Sequence, residues 1–288
     1  MDLSRRTFCK TAVAGTVAAS GVGTASATES TFFEQYSGVV TTRGHYDTTW
    51  YGDVYVTDGN DRTNYETTGT VPGVTNDESP EELIVFVHGW KHDAVQAREK
   101  FRQVTEALRG SDVTAPVVGY SWDSDGETLE WWDQVDVADR NADKLGTFVR
   151  DLQAASPETD VRVIAHSLGA KTIAECLEFF MDRGYDTSVT SVDLLGGAID
   201  DDEVATDGEY GQAIADHCEQ FRNYYKTDDE SLKYDYRAAM WDTAVGHEGI
   251  EGEAPHNYEE YDVSYVESHD DYPKRDVGCI PDVVGNWE

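Results

Sequence analysis

Ser167 stands between the apolar run Val161–Ala165 and a stretch with helical spacing, in the segment RVIAHSLGAKT. A serine hydroxyl is a poor nucleophile until a base takes its proton, and a histidine is poised to do that near neutral pH. A buried carboxylate that fixes the imidazole tautomer completes the set. These residue types recur after apolar runs. His88-Gly89-Trp90 follows Leu83–Val87, Ser121-Trp122-Asp123 follows Val117–Tyr120, and His166-Ser167 follows Val161–Ala165. Thr227-Asp228-Asp229 follows Gln220–Lys226, and Ser268-His269-Asp270 follows Asp262–Val266. In chain order, Ser167, Asp229 and His269 are the expected nucleophile, acid and base. The backbone N–H of Leu168, at a helix N-terminus, and that of Trp90, beside the permissive Gly89, are the expected oxyanion donors.

The elements that must position these residues can be read from periodicity. Leu83–Val87, Ala115–Ser121, Val161–Ala165, Ser188–Leu195, Gln220–Lys226 and Tyr261–Val266 read as strands. Ala94–Leu108, Val135–Ala155 and Leu168–Arg183 have helical spacing; Gly110 and Gly184 stand where helix C-termini favour glycine. Strands alternating with helices of this length predict an α/β fold around a mostly parallel sheet with helices on both faces. Ligands of such sheets bind beyond the carboxyl ends of the strands, where the candidate residues lie. Residues near Ser37–Thr42 and Asp53–Thr57 suit a pair of antiparallel edge strands, and Thr67–Glu82 reads as loop.

Four segments, LIVFVHGW (83–90), VGYSWDS (118–124), VIAHSLGA (163–170) and HDDY (269–272), resemble the α/β-hydrolase superfamily. Within it they are similar to lipase- and esterase-like members, in particular a group with a SW-x-S strand end and an A-H-S-x-G elbow. The resemblance spans about residues 82–272. It implies the α/β-hydrolase fold, nucleophile Ser167, acid Asp229, base His269, oxyanion donors Trp90 and Leu168, and no cofactor. Ala165 departs from the Gly of G-x-S-x-G, at a position that packs helix against strand.

Several residues compete for these roles. His247 and His256 are alternative bases, both expected to face solvent. Asp228, one residue from Asp229, and Asp200, after an earlier strand, are alternative acids. His88 and His166 read as structural. His88, His92 and Asp93 could also hold a metal, but no further spaced ligands support that reading, and no metal is expected. Trp122, Trp131 and Trp132 are candidates for an apolar substrate wall, with packing over the following helix as the alternative. The Asp200-Asp201-Asp202 triplet reads as solvated surface, since the spacing of a calcium loop is missing.

The remaining expectations concern setting. The 288 residues carry 22 Lys+Arg against 57 Asp+Glu, a net charge of −35. An excess that large repels nucleic acids and anionic lipid surfaces, so neither is an expected partner. With 39% apolar and 11% aromatic residues the chain is globular, and its acid-rich, lysine-poor composition is that of a halophilic protein of the haloarchaeal type. Ser4–Lys10, with paired Arg5 and Arg6, resembles a twin-arginine export motif, and Ala25-Ser26-Ala27 is a small-residue cleavage signal. Residues 1–27 are therefore expected to be removed on export, leaving 28–288 as one secreted domain without a membrane anchor. Cys218 and Cys279 could pair in an oxidising compartment; Cys176 reads as a buried small hydrophobe. The expected reaction is hydrolysis of a small ester or lipid through an acyl-enzyme. A peptidase or amidase using the same triad, or a non-catalytic binding protein that kept the fold, are the alternatives.

Overall fold

A computed structural model of the protein describes residues 36–49, 53–126 and 131–287. The segment read as an export signal, with Cys9, lies outside them. Among the described residues the strands are β1 (Gly38–Thr41), β2 (Tyr46–Thr48), β3 (Val54–Val56), β4 (Glu66–Gly69), β5 (Glu82–Val87), β6 (Val117–Ser121), β7 (Asp160–His166), β8 (Val189–Leu195), β9 (Cys218–Tyr225) and β10 (Tyr258–Asp262). The helices are α1 (Ala94–Gly110), α2 (Trp131–Ala155), α3 (Gly169–Arg183), α4 (Gly211–His217), α5 (Arg237–Met240), α6 (Val245–Glu248) and α7 (Ile280–Gly285). A π-helix spans Ser231–Tyr236, and a 3-10 turn spans His269–Asp271.

Eight strands form one sheet in the order β10-β9-β8-β7-β5-β6-β1-β4. All neighbours are parallel except β1 and β4. The alternation of side chains along β5 shows why both faces need cover. Leu83, Val85 and Val87 join one apolar cluster, together with Leu145 and Phe148 of α2 and Ile173 and Leu177 of α3. Ile84 and Phe86 join the other, with Phe101 and Val104 of α1 and Ile280 of α7. A strand buried on both sides must be apolar at consecutive positions, which is the continuous run seen in the sequence. This is the expected mostly parallel sheet with helices on both faces. No helix among the described residues is long and apolar enough to cross a membrane.

The N-terminal strands pair differently from expectation. β1 does not pair with the segment around residues 53–57. It extends the main sheet beside β6, because Val39 and Val40 are buried there. Its antiparallel partner is β4, a polar strand (ETTG) whose last residues had read as loop. β3 pairs instead with β2 in a separate ribbon. The last strand, β10, begins three residues before the apolar run Tyr261–Val266 and overlaps it only at Tyr261 and Asp262. Cys176, Cys218 and Cys279 are all buried free thiols. Cys218 and Cys279 belong to the two different apolar clusters, so they do not pair.

Candidate active site

β7 delivers Ser167 and α3 begins at Gly169, so the serine sits on the turn between them. Its backbone is left-handed, with φ 55°. A non-glycine residue pays for that conformation, and the payment recurs where a side chain must be held out of a turn. The turn is tight on both sides. A Cβ on Gly89 would come 2.7 Å from Ser167 Cβ, and one on Gly169 would come 2.7 Å from the carbonyl oxygens of Val87 and His88. Only glycines allow the β5 end, the serine turn and the start of α3 to close up this far. Ala165, at the position of the motif mismatch, is wholly buried in the apolar cluster shared by α2 and α3. The Ser167 N–H donates to Leu195 O at 3.1 Å, so that donor is already committed.

His269 lies in the 3-10 turn after β10, and Asp229 in the loop after β9. The His269 Nδ1–H donates to Asp229 Oδ2 at 2.8 Å. The other carboxylate oxygen, Oδ1, accepts from the Leu232 N–H at 3.1 Å. Burial raises the Asp229 carboxyl, but the hydrogen bond and charge of His269, the Leu232 N–H and Lys226 outweigh it and hold it below its ordinary value. Asp229 is therefore an ionised, fully buried acceptor fixing the imidazole with Nε2 turned away from it. Ser167 and His269 line the same cleft.

Two further contacts seat the His269 turn. His166 Nε2–H donates to His269 O at 2.8 Å, with the two rings 4.9 Å apart. Burial, then the neighbouring charges of His269 and Lys100, push the His166 imidazole well below its ordinary value, so it stays neutral. The nearly buried Lys100 of α1 donates to Asp270 Oδ1 at 2.9 Å and to Asp270 O at 3.1 Å. His166 fits the structural reading made for it. Lys100 escaped the sequence reading because a lysine on an amphipathic helix reads as solvated.

None of the competing acids and bases lines the cleft. Asp228 is exposed and pairs with Lys226 at 3.0 Å. Asp200 accepts from Tyr236 Oη at 2.7 Å. His256 is exposed. His247, expected to face solvent, is instead buried on α6 beside Lys226 O. Asp201, expected as solvated surface, is also buried, and burial with the nearby charges of Glu251, Asp242 and Asp202 pushes its carboxyl up to about 7. Asp93 caps α1, its Oδ1 accepting from the Val95 and Gln96 N–H groups at 2.8 Å each.

The cleft encloses about 640 Å³. Of the three candidate wall residues only Trp131 lines it. Its indole meets Trp90 edge to face at 4.8 Å and Tyr236 at 5.7 Å. Trp122 is wholly buried beneath the cleft, stacked on His88, and Trp132 faces solvent away from the cleft lining. Leu232 and Tyr236 extend the apolar wall of Trp90, Val95, Trp131 and Ala198 from the π-helix, which sequence periodicity did not single out. Their spacing of four residues is the one signal that could have marked it.

Residues 67–241, more than half of the chain, match the model of a family described as "Alpha/beta hydrolase of unknown function (DUF900)". The match contains Ser167 and Asp229 and ends before His269. No curated protein matches the chain significantly. Among solved structures, lipase B of Aspergillus fumigatus is similar over 70% of this chain and 50% of its own, at 12% identity and a TM-score of 0.45. The chain thus spans half the length of that lipase. A cutinase-like protein from Cryptococcus sp. is similar over 73% of this chain and 93% of its own, at 11% identity and a TM-score of 0.39.

Proposed function

The chain belongs to that α/β-hydrolase family, and from this premise we propose that it is a secreted serine hydrolase acting on carboxylic esters through Ser167, His269 and Asp229. The observation that carries the reading is the 2.8 Å bond from His269 to the buried Asp229, in a cleft shared with a serine held in left-handed backbone. His269 Nε2 takes the hydroxyl proton as Ser167 Oγ attacks the ester carbonyl. The carbonyl π electrons move onto oxygen, where the N–H groups of Leu168 and Trp90 receive the charge. Collapse of the tetrahedral species expels the alkoxide, which takes the proton from His269 and leaves as alcohol. Water then attacks the acyl-enzyme with His269 as base, releasing the acid and restoring Ser167.

The aromatic wall of Trp90, Trp131 and Tyr236 favours an apolar group on the substrate. Export through the twin-arginine segment and activity in strong salt belong to the same proposal. The test is the protein without residues 1–27, in high salt, with a fluorophosphonate probe and p-nitrophenyl esters of graded acyl length. Wild type is expected to label and to turn over ester. Ser167→Ala is expected to do neither while keeping its thermal midpoint. An unlabelled but folded wild type sinks the reading.

A further inference from the structure

His92 has no part in the chemistry above, yet it converges with His88 on one carbonyl, and residues of the 121–124 strand end hold both histidines there. The Gly89 oxygen lies 2.8 Å from His88 Nδ1 and 3.1 Å from His92 Nδ1. A carbonyl only accepts, so both ring nitrogens donate. The tautomer of His88 is fixed from its far side, where the Trp122 backbone N–H donates to Nε2 at 3.2 Å. The Trp122 ring stacks on His88 at 5.7 Å, and its indole N–H donates to His88 O at 2.8 Å. Burial first, then nearby cationic groups, lower both histidines, so both are neutral. His92 is held by its own backbone. Its N–H donates to Ser124 O at 3.2 Å, and its carbonyl accepts from Ser124 Oγ at 3.1 Å and from Arg43 at 2.7 Å.

Peptide geometry gives this clamp a consequence. Across a trans peptide the C=O and the N–H point in opposite directions, and the N–H lies on the same side as the preceding Cα. Two donors on the Gly89 oxygen fix that plane. The Trp90 N–H is then turned away from the histidines and toward the side of Gly89 Cα, where a Cβ would come 2.7 Å from Ser167 Cβ. Donation to the carbonyl also polarises the peptide and strengthens its N–H as a donor.

We infer that His92 is a positioning residue of the oxyanion hole, clamping the Gly89 carbonyl together with His88 so that the Trp90 N–H faces the charge that develops beside Ser167. The inference rests on the proposed ester hydrolysis. His88 is wholly buried, whereas His92 reaches the cleft edge and can be replaced with less risk to the fold. His92→Leu and His92→Asn are the decisive pair. The two replacements are nearly the same size, and only asparagine can put an N–H near the position of Nδ1.

The expected result for His92→Leu is a fall in kcat of at least about tenfold, a fraction of what deleting an oxyanion donor costs. KM should stay within about twofold, because the ground-state carbonyl gains little from the hole. The inhibition constant of a trifluoromethyl ketone, whose hemiketal oxygen mimics the oxyanion, should rise by the factor that kcat/KM falls. His92→Asn should recover most of the loss. A His92→Leu protein with unchanged kcat overturns the inference, as does equal loss in both variants at unchanged thermal midpoint. If His92→Leu does not fold, His92→Ala, which cannot clash, is read the same way. Absence of fluorophosphonate labelling in wild type removes the hydrolase reading itself. Labelling at one rate in wild type and both variants removes only the clamp.

Discussion

At the scale of single residues, the site depends on which groups are charged. Asp229 is fully buried, yet its carboxyl lies below its ordinary value, because His269, Leu232 N–H and Lys226 together outweigh the cost of burial. Asparagine there would keep the volume and remove the charge, leaving His269 free to take the wrong tautomer. Asp229→Asn is therefore expected to lower kcat by about 10³–10⁴ with KM little changed, measured with a p-nitrophenyl ester at neutral pH. The same group makes a stability prediction with a definite sign. A carboxyl lowered by folding contributes stability above its unfolded value of about 3.9 and loses it as pH falls through the lower folded value. Urea titrations should find wild type more stable than Asp229→Asn at pH 6. That gap should close below about pH 4. A gap that persists in acid would mean that the asparagine acts through packing and not through charge.

Elements explain what those residues cannot do alone. Ser167, half-buried, reaches the cleft because β5, β7 and α3 approach within the reach of a missing methyl group. Gly169→Ala would drive a Cβ to 2.7 Å from two carbonyl oxygens at the end of β5. It is expected to cost about 1–3 kcal/mol in urea unfolding and to lower the fluorophosphonate labelling rate, since α3 must retreat from the serine turn. An unchanged labelling rate in the folded variant would show that the turn tolerates the displacement. The central elements were legible because doubly buried strands and amphipathic helices write their period directly into the sequence. Leu83–Val87 and Ala94–Leu108 are cases of this, as is the order of polar residues at the strand ends. What was illegible has a physical reason in each instance. β4 is polar and exposed, so it lacks an apolar signature, and β1 joins the main sheet through long-range pairing that no local window contains. The π-helix Ser231–Tyr236 follows neither common period. Trp122 is as apolar as Trp131, and only the three-dimensional stacking on His88 assigns it beneath the cleft and not along its wall. The spacing of His88 and His92 suggests a metal pair in sequence because residues four apart cannot tell a shared metal from a shared carbonyl.

Taken as a whole molecule, the chain sets a net charge of −35 against contacts that are largely indifferent to salt. The Asp229–His269 pair, with its carboxylate fully buried, acts over 2.8 Å and is little screened. Repulsion among surface carboxylates acts over longer distances and falls away as the screening length shrinks from about 10 Å at 0.1 M salt to about 3 Å at 1 M. Added KCl is therefore expected to raise the thermal midpoint steeply up to molar concentrations, and more than sucrose at matched osmolality. An equal response to the two would assign the effect to solvent exclusion and not to charge. The cleft should behave differently from the surface. Among the described residues, three of the chain's eight lysines, Lys91, Lys100 and Lys274, line it and offset Glu99, Asp235 and Asp270. A neutral ester entering this locally balanced space meets little of the field that salt must screen. Its kcat/KM, measured well below the midpoint at each salt concentration, should then stay nearly flat while the midpoint climbs. A parallel rise in both would mean that the cleft geometry itself is being completed by salt.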